Sequence, residues 1–361
     1  MADFSEYTGP SADWIALEST LPSVPELDPE DLKRVMNKSR EEISAQALVQ
    51  EDLGSKVHIQ EHKFTARDGT AIDARSYRPV DIPLSQRLPV YIHLHGGGYL
   101  FGTAPSEDAT CARIVVSQAE QATPVTVVNL DYRHTPEFRY PTAWNDVEDG
   151  FVWVHEHITE LGGRADQVVV GGISAGGQLT ASLTLAQLHG DNKRLAEYPK
   201  IRGQVLMIPC VVNPDYYAPR REMLRSPELS SLVQCAEAPL LPMSRMNLFS
   251  QLLGIAGYKG AERDYRMNPD NAPAEYVKDL PPTVFGIAGN DPLRDEALFY
   301  GKLLSENGVP TNIHVFRGVP HGFRRFGDKL SASKKWDEVY NTGISWALSN
   351  PVAGPFEIKS D

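Results

Sequence analysis

The stretch Val168-Val169-Val170-Gly171-Gly172-Ile173-Ser174-Ala175-Gly176-Gly177-Gln178-Leu179 decides how this 361-residue chain is read. Three valines form a β-rich run, and the residues from Ala175 onward have helical character. Ser174 stands between the two, flanked by Gly172 and Gly176. A serine on so sharp a strand-to-helix turn needs small neighbours, because side chains at the two glycines would clash. The turn exposes the hydroxyl and sets it at a helix N-terminus, where developing negative charge is favoured. The G-x-S-x-G pattern alone is weak: at average glycine usage it arises by chance in roughly one chain of this size in ten. Its strand–turn–helix context gives it weight. A dinucleotide-binding reading fails, since G-x-G-x-x-G from Gly171 needs glycine where Ile173 stands.

Outward from the serine, short apolar strands alternate with helical stretches. Val90–Leu94, Val125–Leu130 and Val168–Gly171 read as buried parallel strands, followed by Val205–Ile208, Thr283–Ile287 and Asn312–Phe316. Helical segments are expected at about 107–120, 142–160 and 176–189. Earlier, Val57–Thr65 and Ile72–Arg78 alternate like a hairpin around Asp68-Gly69. The fold class is α/β, a mostly parallel central sheet flanked by helices. Near the N-terminus, Asp28 is an N-cap with Pro29 at the first helical position, and Leu32, Val35 and Met36 follow at helical spacing. Between Cys210 and Thr283 lie some 70 residues, too many for a plain connection. There Leu248, Phe249, Leu252, Leu253 and Ala256 have amphipathic helical spacing. The expected organisation is a helical cap from residues 1–50 and 212–275 over a catalytic domain of residues 51–211 and 276–361.

Composition narrows the class. Hydrophobic residues make up 41% and charged residues 23%, as in ordinary globular proteins. A net charge of −12 argues against nucleic acid or an anionic membrane as partner, because phosphates repel such a surface. The N-terminus lacks the basic and apolar regions of a signal peptide, and no stretch is apolar enough to span a bilayer. Cys111, Cys210 and Cys235 form no CxxC pair and read as reduced thiols. The expectation is a cytoplasmic monomer or homodimer.

The second informative block is His93-Leu94-His95-Gly96-Gly97-Gly98-Tyr99, at the end of a strand. Three glycines leave backbone N–H groups unshielded and able to point into a site. The amides of Gly96 and Gly97, with that of Ala175, are candidates for an oxyanion hole. The competing readings are a flexible turn or a His93/His95 metal pair; no third ligand has convincing spacing, so no metal or organic cofactor is expected.

With these blocks the chain resembles the hormone-sensitive-lipase-like group of α/β-hydrolases, which includes bacterial and fungal esterases and plant carboxylesterases. Four blocks match in order: His95–Gly98; Asp131-Tyr132-Arg133 with Pro136-Glu137 and Tyr140-Pro141; Gly172–Gly177; and Asp291–Glu296 with Gly318 and His321-Gly322-Phe323. The resemblance spans about residues 55 to 348. It implies an α/β-hydrolase fold and a triad of Ser174 as nucleophile, Asp291 as orienting acid and His321 as general base, in the Ser, Asp, His order of that fold. It further implies a small-molecule ester as substrate. Two departures stand out: Ile173 and Gln178 replace the Asp and Asn of many relatives, and His134-Thr135 replaces Leu-Ala.

Other residues have plainer readings. Asp295 as a substitute acid competes with a role at a helix N-terminus. Arg133 and Glu137 read as a structural polar network, and His134, His155, His157 and His314 as packed or surface histidines. Tyr99 and Phe101 are candidates for the substrate pocket, with core packing as the alternative. The expected activity is carboxylic ester hydrolysis on small to medium hydrophobic acyl substrates. The same triad also serves a thioesterase, lactonase or acyltransferase. A non-catalytic small-molecule receptor is the reading from another class, and the presence of His321 argues against it, since plant gibberellin receptors of this family have lost that histidine.

Overall fold

A computed structural model describes residues 1–22, 27–190, 192–255 and 257–360. Nine strands build one sheet: β1 (Val57–Thr65), β2 (Ala71–Pro79), β3 (Leu88–Leu94), β4 (Thr126–Leu130), β5 (Gly163–Ile173), β6 (Gly203–Met207), β7 (Thr283–Asn290), β8 (Thr311–Pro320) and β9 (Ile358–Ser360). Their order is β1-β2-β4-β3-β5-β6-β7-β8-β9. β1 pairs with β2 and β2 with β4 antiparallel; every other pairing is parallel. The sheet is therefore mostly parallel, as the strand–helix alternation requires.

The central strands are apolar at successive positions because both faces are covered. On β3, Val90, Ile92 and Leu94 enter one apolar cluster and Tyr91 enters another. On β5, Val168 and Val170 again face the first cluster while Val169 faces the second. The helices Thr142–Glu156 and Ala175–His189 close the first face with Trp144, Phe151, Leu179 and Leu183. The helices Asp108–Glu120 and Ser331–Leu348 close the other with Val115, Trp336, Tyr340 and Ile344. β9 and the helices Arg294–Glu306 and Ser331–Leu348 add to the elements read from sequence.

The helix Pro29–Gln50 starts as its sequence dictates: the Asp28 side chain accepts from the Asp31 amide at 2.9 Å, with Pro29 in the first turn. Leu32 is buried, whereas Val35 is exposed. The 70-residue insert holds short helices at Ala218–Arg221, Ser231–Gln234 and Ala274–Val277 and one longer helix, Met243–Leu253. That helix ends before Ala256, the last position of the expected amphipathic run, which lies outside the described residues. Leu32, Leu100, Phe101, Leu248, Phe249 and Leu252 form one small cluster, so the N-terminal helix and the insert meet over the glycine loop. Not all of residues 1–50 lies there. Trp14 and Leu17, on the helix Ala12–Glu18, pack into the sheet cluster with Val319 and Phe323. Among the described residues, no helix is long and apolar enough to cross a membrane.

Candidate active site

The chain turns from β5 into the helix Ala175–His189 at Ser174, whose backbone has φ 57° and ψ −116°. Such a conformation costs about 1–3 kcal/mol in a residue with a side chain and persists only where surroundings enforce it. Here they do. A Cβ on Gly176 would lie 2.1 Å from the Leu94 carbonyl oxygen, and one on Gly172 would lie 2.4 Å from the Gly176 carbonyl. The two glycines let β3, β5 and the helix start pack into van der Waals contact, which fixes the serine at the carboxyl edge of the sheet.

Two other strand ends deliver its partners. His321 follows β8, and its Nε2 lies 2.9 Å from Ser174 Oγ. Asp291 follows β7, and its Oδ2 lies 2.7 Å from His321 Nδ1. The remaining Asp291 oxygen accepts from the Leu293 amide at 2.9 Å, and the carboxylate is buried. A hydroxyl, an imidazole and a buried carboxylate in this line can transfer the hydroxyl proton to the ring while the carboxylate holds its tautomer. Asp295, the alternative acid, is committed elsewhere: it accepts from Arg294 Nε and from the Ser231 amide, each at 2.8 Å.

The glycine loop sits beside the serine. Gly97 has φ +141°, and a Cβ there would lie 1.7 Å from the Phe101 carbonyl oxygen, so only glycine fits. Among the described residues, the amides of Gly96 and Gly97 donate to no backbone or side-chain acceptor. Ala175 is the first residue of the helix that begins past the serine. The loop is held from behind. Arg40 donates to the Gly96 carbonyl at 2.8 Å and pairs with Glu107 at 2.6 Å. Glu107 also meets His93, whose second nitrogen faces Tyr340 Oη. Burial opposes ionisation of Glu107, but His93 and Arg40 outweigh it and hold the carboxyl down at about 2.

A small, largely apolar cavity of about 50 Å³ opens at Ser174 and Ala175, with Tyr99, Trp144, Phe249 and Leu253 among its walls. Tyr99 stacks on Trp144 at 4.8 Å, and its hydroxyl donates to Gln178 Oε1, while Gln178 Nε2 donates to the Met267 carbonyl. Gln178 thus braces the pocket wall to the insert. Phe101 does not line this cavity; it packs edge-on against Phe249 with Leu32 and Leu100. Ile173 is half-buried against the core. Cys210 lines the cavity, and burial pushes its thiol pKa up, which leaves it a poor nucleophile.

The remaining sequence candidates fall into place around the site. Arg133 is bound by Asp146 and Asp68, each at 2.6 Å, and Glu137 pairs with Lys33 at 2.7 Å, so the two belong to separate ion pairs. His155 is packed between Phe151 and Tyr198, and His157 contacts the Trp153 carbonyl. His93 and His95 do not meet each other as a ligand pair; His93 contacts Glu107 and Tyr340, and the histidine that approaches His95 is His134. Arg40 and Trp144 were not legible as site residues, because each comes from a distant segment and carries no local motif, whereas Phe249 lies in the apolar run of the insert from which hydrophobic substrates are expected.

A family model described as the alpha/beta hydrolase fold matches residues 91–325. A Schizosaccharomyces pombe protein of the AB hydrolase superfamily is 31% identical over 299 residues, 82% of each chain. The Mycobacterium tuberculosis esterase LipI is 32% identical over 284 residues, 77% of this chain and 79% of LipI. The solved structure of a vibralactone cyclase superposes with a TM-score of 0.82 at 25% identity, covering 95% of this chain and 96% of the other. The chain belongs to the α/β-hydrolase family, in its hormone-sensitive-lipase-like branch of carboxylic ester hydrolases.

Proposed function

We propose that the chain hydrolyses small to medium hydrophobic carboxylic esters through an acyl-enzyme on Ser174. The observation that carries this is the in-line contact of Ser174, His321 and Asp291, at 2.9 and 2.7 Å, beside the uncommitted amides of Gly96 and Gly97. His321 Nε2 takes the Ser174 proton as Oγ attacks the ester carbonyl, and Asp291 stabilises the imidazolium. The amides of Gly96, Gly97 and Ala175 receive the carbonyl oxygen as it gains charge; each such donor is worth on the order of 3 kcal/mol of barrier. The tetrahedral intermediate expels the alcohol, which takes the proton from His321. Water then attacks the acyl-enzyme, with His321 as base, and releases the acid. None of these steps calls on a metal or organic cofactor.

The cavity supports the substrate class. Its apolar walls disfavour charged acyl groups, and its size suits a short chain. The helix Pro29–Gln50 and the insert helix Met243–Leu253 act as a cap, the segment before Pro29 not included, and the apolar contact of Leu32 with the Leu248–Leu252 region over the glycine loop supports that reading. A second reading, acyl transfer or lactone formation on the same serine, is favoured by the superposition on a vibralactone cyclase. A cavity that excludes water favours an internal acceptor.

The test is a chain-length panel of p-nitrophenyl esters with wild type and Ser174→Ala. Hydrolysis of short and medium esters, lost by more than about a thousandfold in the variant, is the expected result. Substantial activity in Ser174→Ala overturns the nucleophile, and wild-type inactivity on all esters overturns the ester class.

A further inference from the structure

Behind the glycine loop, away from the ester chemistry, three side chains of metal-ligating type converge. His95 Nε2 lies 3.1 Å from Asp131 Oδ1, and one ligand atom each from His95, Asp131 and His134 fall within 4.8 Å of one another. His95 follows β3, while Asp131 and His134 follow β4, its parallel neighbour, so the trio joins two strand ends. The His95 and His134 rings are 5.2 Å apart.

Two observations set this group apart from ordinary packing. The first concerns the protons of His95. Its Nδ1 faces the Gly96 carbonyl at 3.1 Å and its Nε2 faces a carboxylate oxygen at 3.1 Å, so both nitrogens meet acceptors. A neutral imidazole has one N–H. One contact therefore needs either a second proton or another cation between nitrogen and oxygen. The second concerns His134, whose Nε2 is buried and, among the described residues, has no hydrogen-bond partner. A buried nitrogen left in that state destabilises the fold, and a ligand removes the cost.

We propose that His95, Asp131 and His134 form a binding site for a divalent transition-metal cation of the zinc class, with water in the fourth position. Two imidazoles and one carboxylate are a ligand set that zinc accepts in tetrahedral geometry. Bonds of about 2.0–2.1 Å place tetrahedral ligands roughly 3.3 Å apart, close to the separation already present between His95 and Asp131. The Nδ1–H of His95, held by the Gly96 carbonyl, is the outer hydrogen bond that orients a ligating histidine. The nearby cations do not oppose a metal in isolation, because Lys33 is paired with Glu137 and Arg40 with Glu107. A metal here ties the glycine loop to the end of β4 and stiffens it, without touching Ser174.

The experiment uses the full chain, freed of metal by chelator and titrated with Zn²⁺ alone by calorimetry, beside His134→Leu. The expected result is one equivalent bound per chain with a raised melting temperature, and an affinity weakened more than about a hundredfold in the variant. No binding by the wild type overturns the proposal, as does full retention of the site in His134→Leu. Anomalous diffraction from zinc-soaked wild-type crystals decides independently of how the variant folds. A peak among the three side chains supports the site, and its absence there contradicts it.

Discussion

Arg40, on the helix Pro29–Gln50, donates a 2.8 Å hydrogen bond to the carbonyl oxygen of Gly96 in the glycine loop. The residue whose amide is assigned to the oxyanion is thus oriented by a side chain from the N-terminal segment. Glu107 fixes the other arm of the guanidinium at 2.6 Å. Arg40→Ala is expected to lower kcat by about ten- to a hundredfold with little change in KM, because the loop then reorganises in the transition state. Arg40→Lys, with one donor in place of a fork, should recover only part of it. Equal kinetics in wild type and Arg40→Ala would remove the positioning role.

Gly97→Ala tests the loop itself. The substitution forces a methyl group into the Phe101 carbonyl at a backbone angle that alanine rarely adopts. Loss of esterase activity by at least about a hundredfold is expected, with the far-ultraviolet circular dichroism spectrum unchanged. Full activity in this variant would show that the loop amides do not serve the reaction.

The cavity wall at Phe249 should set acyl length. Phe249 lines the cavity and packs edge-on against Phe101. Phe249→Ala is expected to raise the kcat/KM ratio of octanoate over butyrate esters by about tenfold or more, as each accommodated methylene contributes to binding. An unchanged chain-length profile would place the acyl chain elsewhere.

His155 makes stability depend on pH. Among the described residues neither ring nitrogen has a partner, and burial pushes the imidazole pKa down to about 4. The unfolded chain binds the proton at about 6.5, so the folded state binds fewer protons between these values. Stability is present in full above pH 6.5 and is lost as pH falls towards 4, by about 3 kcal/mol for this group alone. His155→Phe, which keeps a ring packed against Phe151 and stacked on Tyr198, should flatten that loss in denaturant midpoints measured from pH 7 to 4. A midpoint curve parallel to that of the wild type would contradict the assignment.

Sequence carried the fold well because its signal is local. Buried parallel strands read as continuous apolar runs, and the six such runs each lie inside one of the observed strands β3 to β8 or overrun it by a single residue. β5 nevertheless begins five residues earlier, and β8 ends four residues later, than its run. β9, three residues at the sheet edge, has no such run. The three residues Ser174, Asp291 and His321 were legible because each sits in a distinct block just past a strand, and the structure brings those blocks together. Arg40 was not, since a long-range hydrogen bond leaves no periodic trace; Phe249 is legible as part of an amphipathic run, but periodicity does not separate its packing face from its cavity face. Phe101 reads as either pocket or packing for a related reason: an aromatic after a glycine loop looks alike whether it faces a cavity or a helix. The sequence offered His95 only with His93 as a metal pair; Asp131 and His134 are brought to His95 by the pairing of β3 with β4, which separation along the chain does not show.

The central claim is that Ser174 is the acylated nucleophile. It is tested most directly by intact-mass analysis and peptide mapping after a serine-directed fluorophosphonate reacts with wild type and Ser174→Ala. One adduct per wild-type chain, mapped to Ser174, with matching loss of esterase activity and no adduct in the variant, is the predicted result. An adduct on another residue, or esterase activity that survives complete labelling of Ser174, would contradict it.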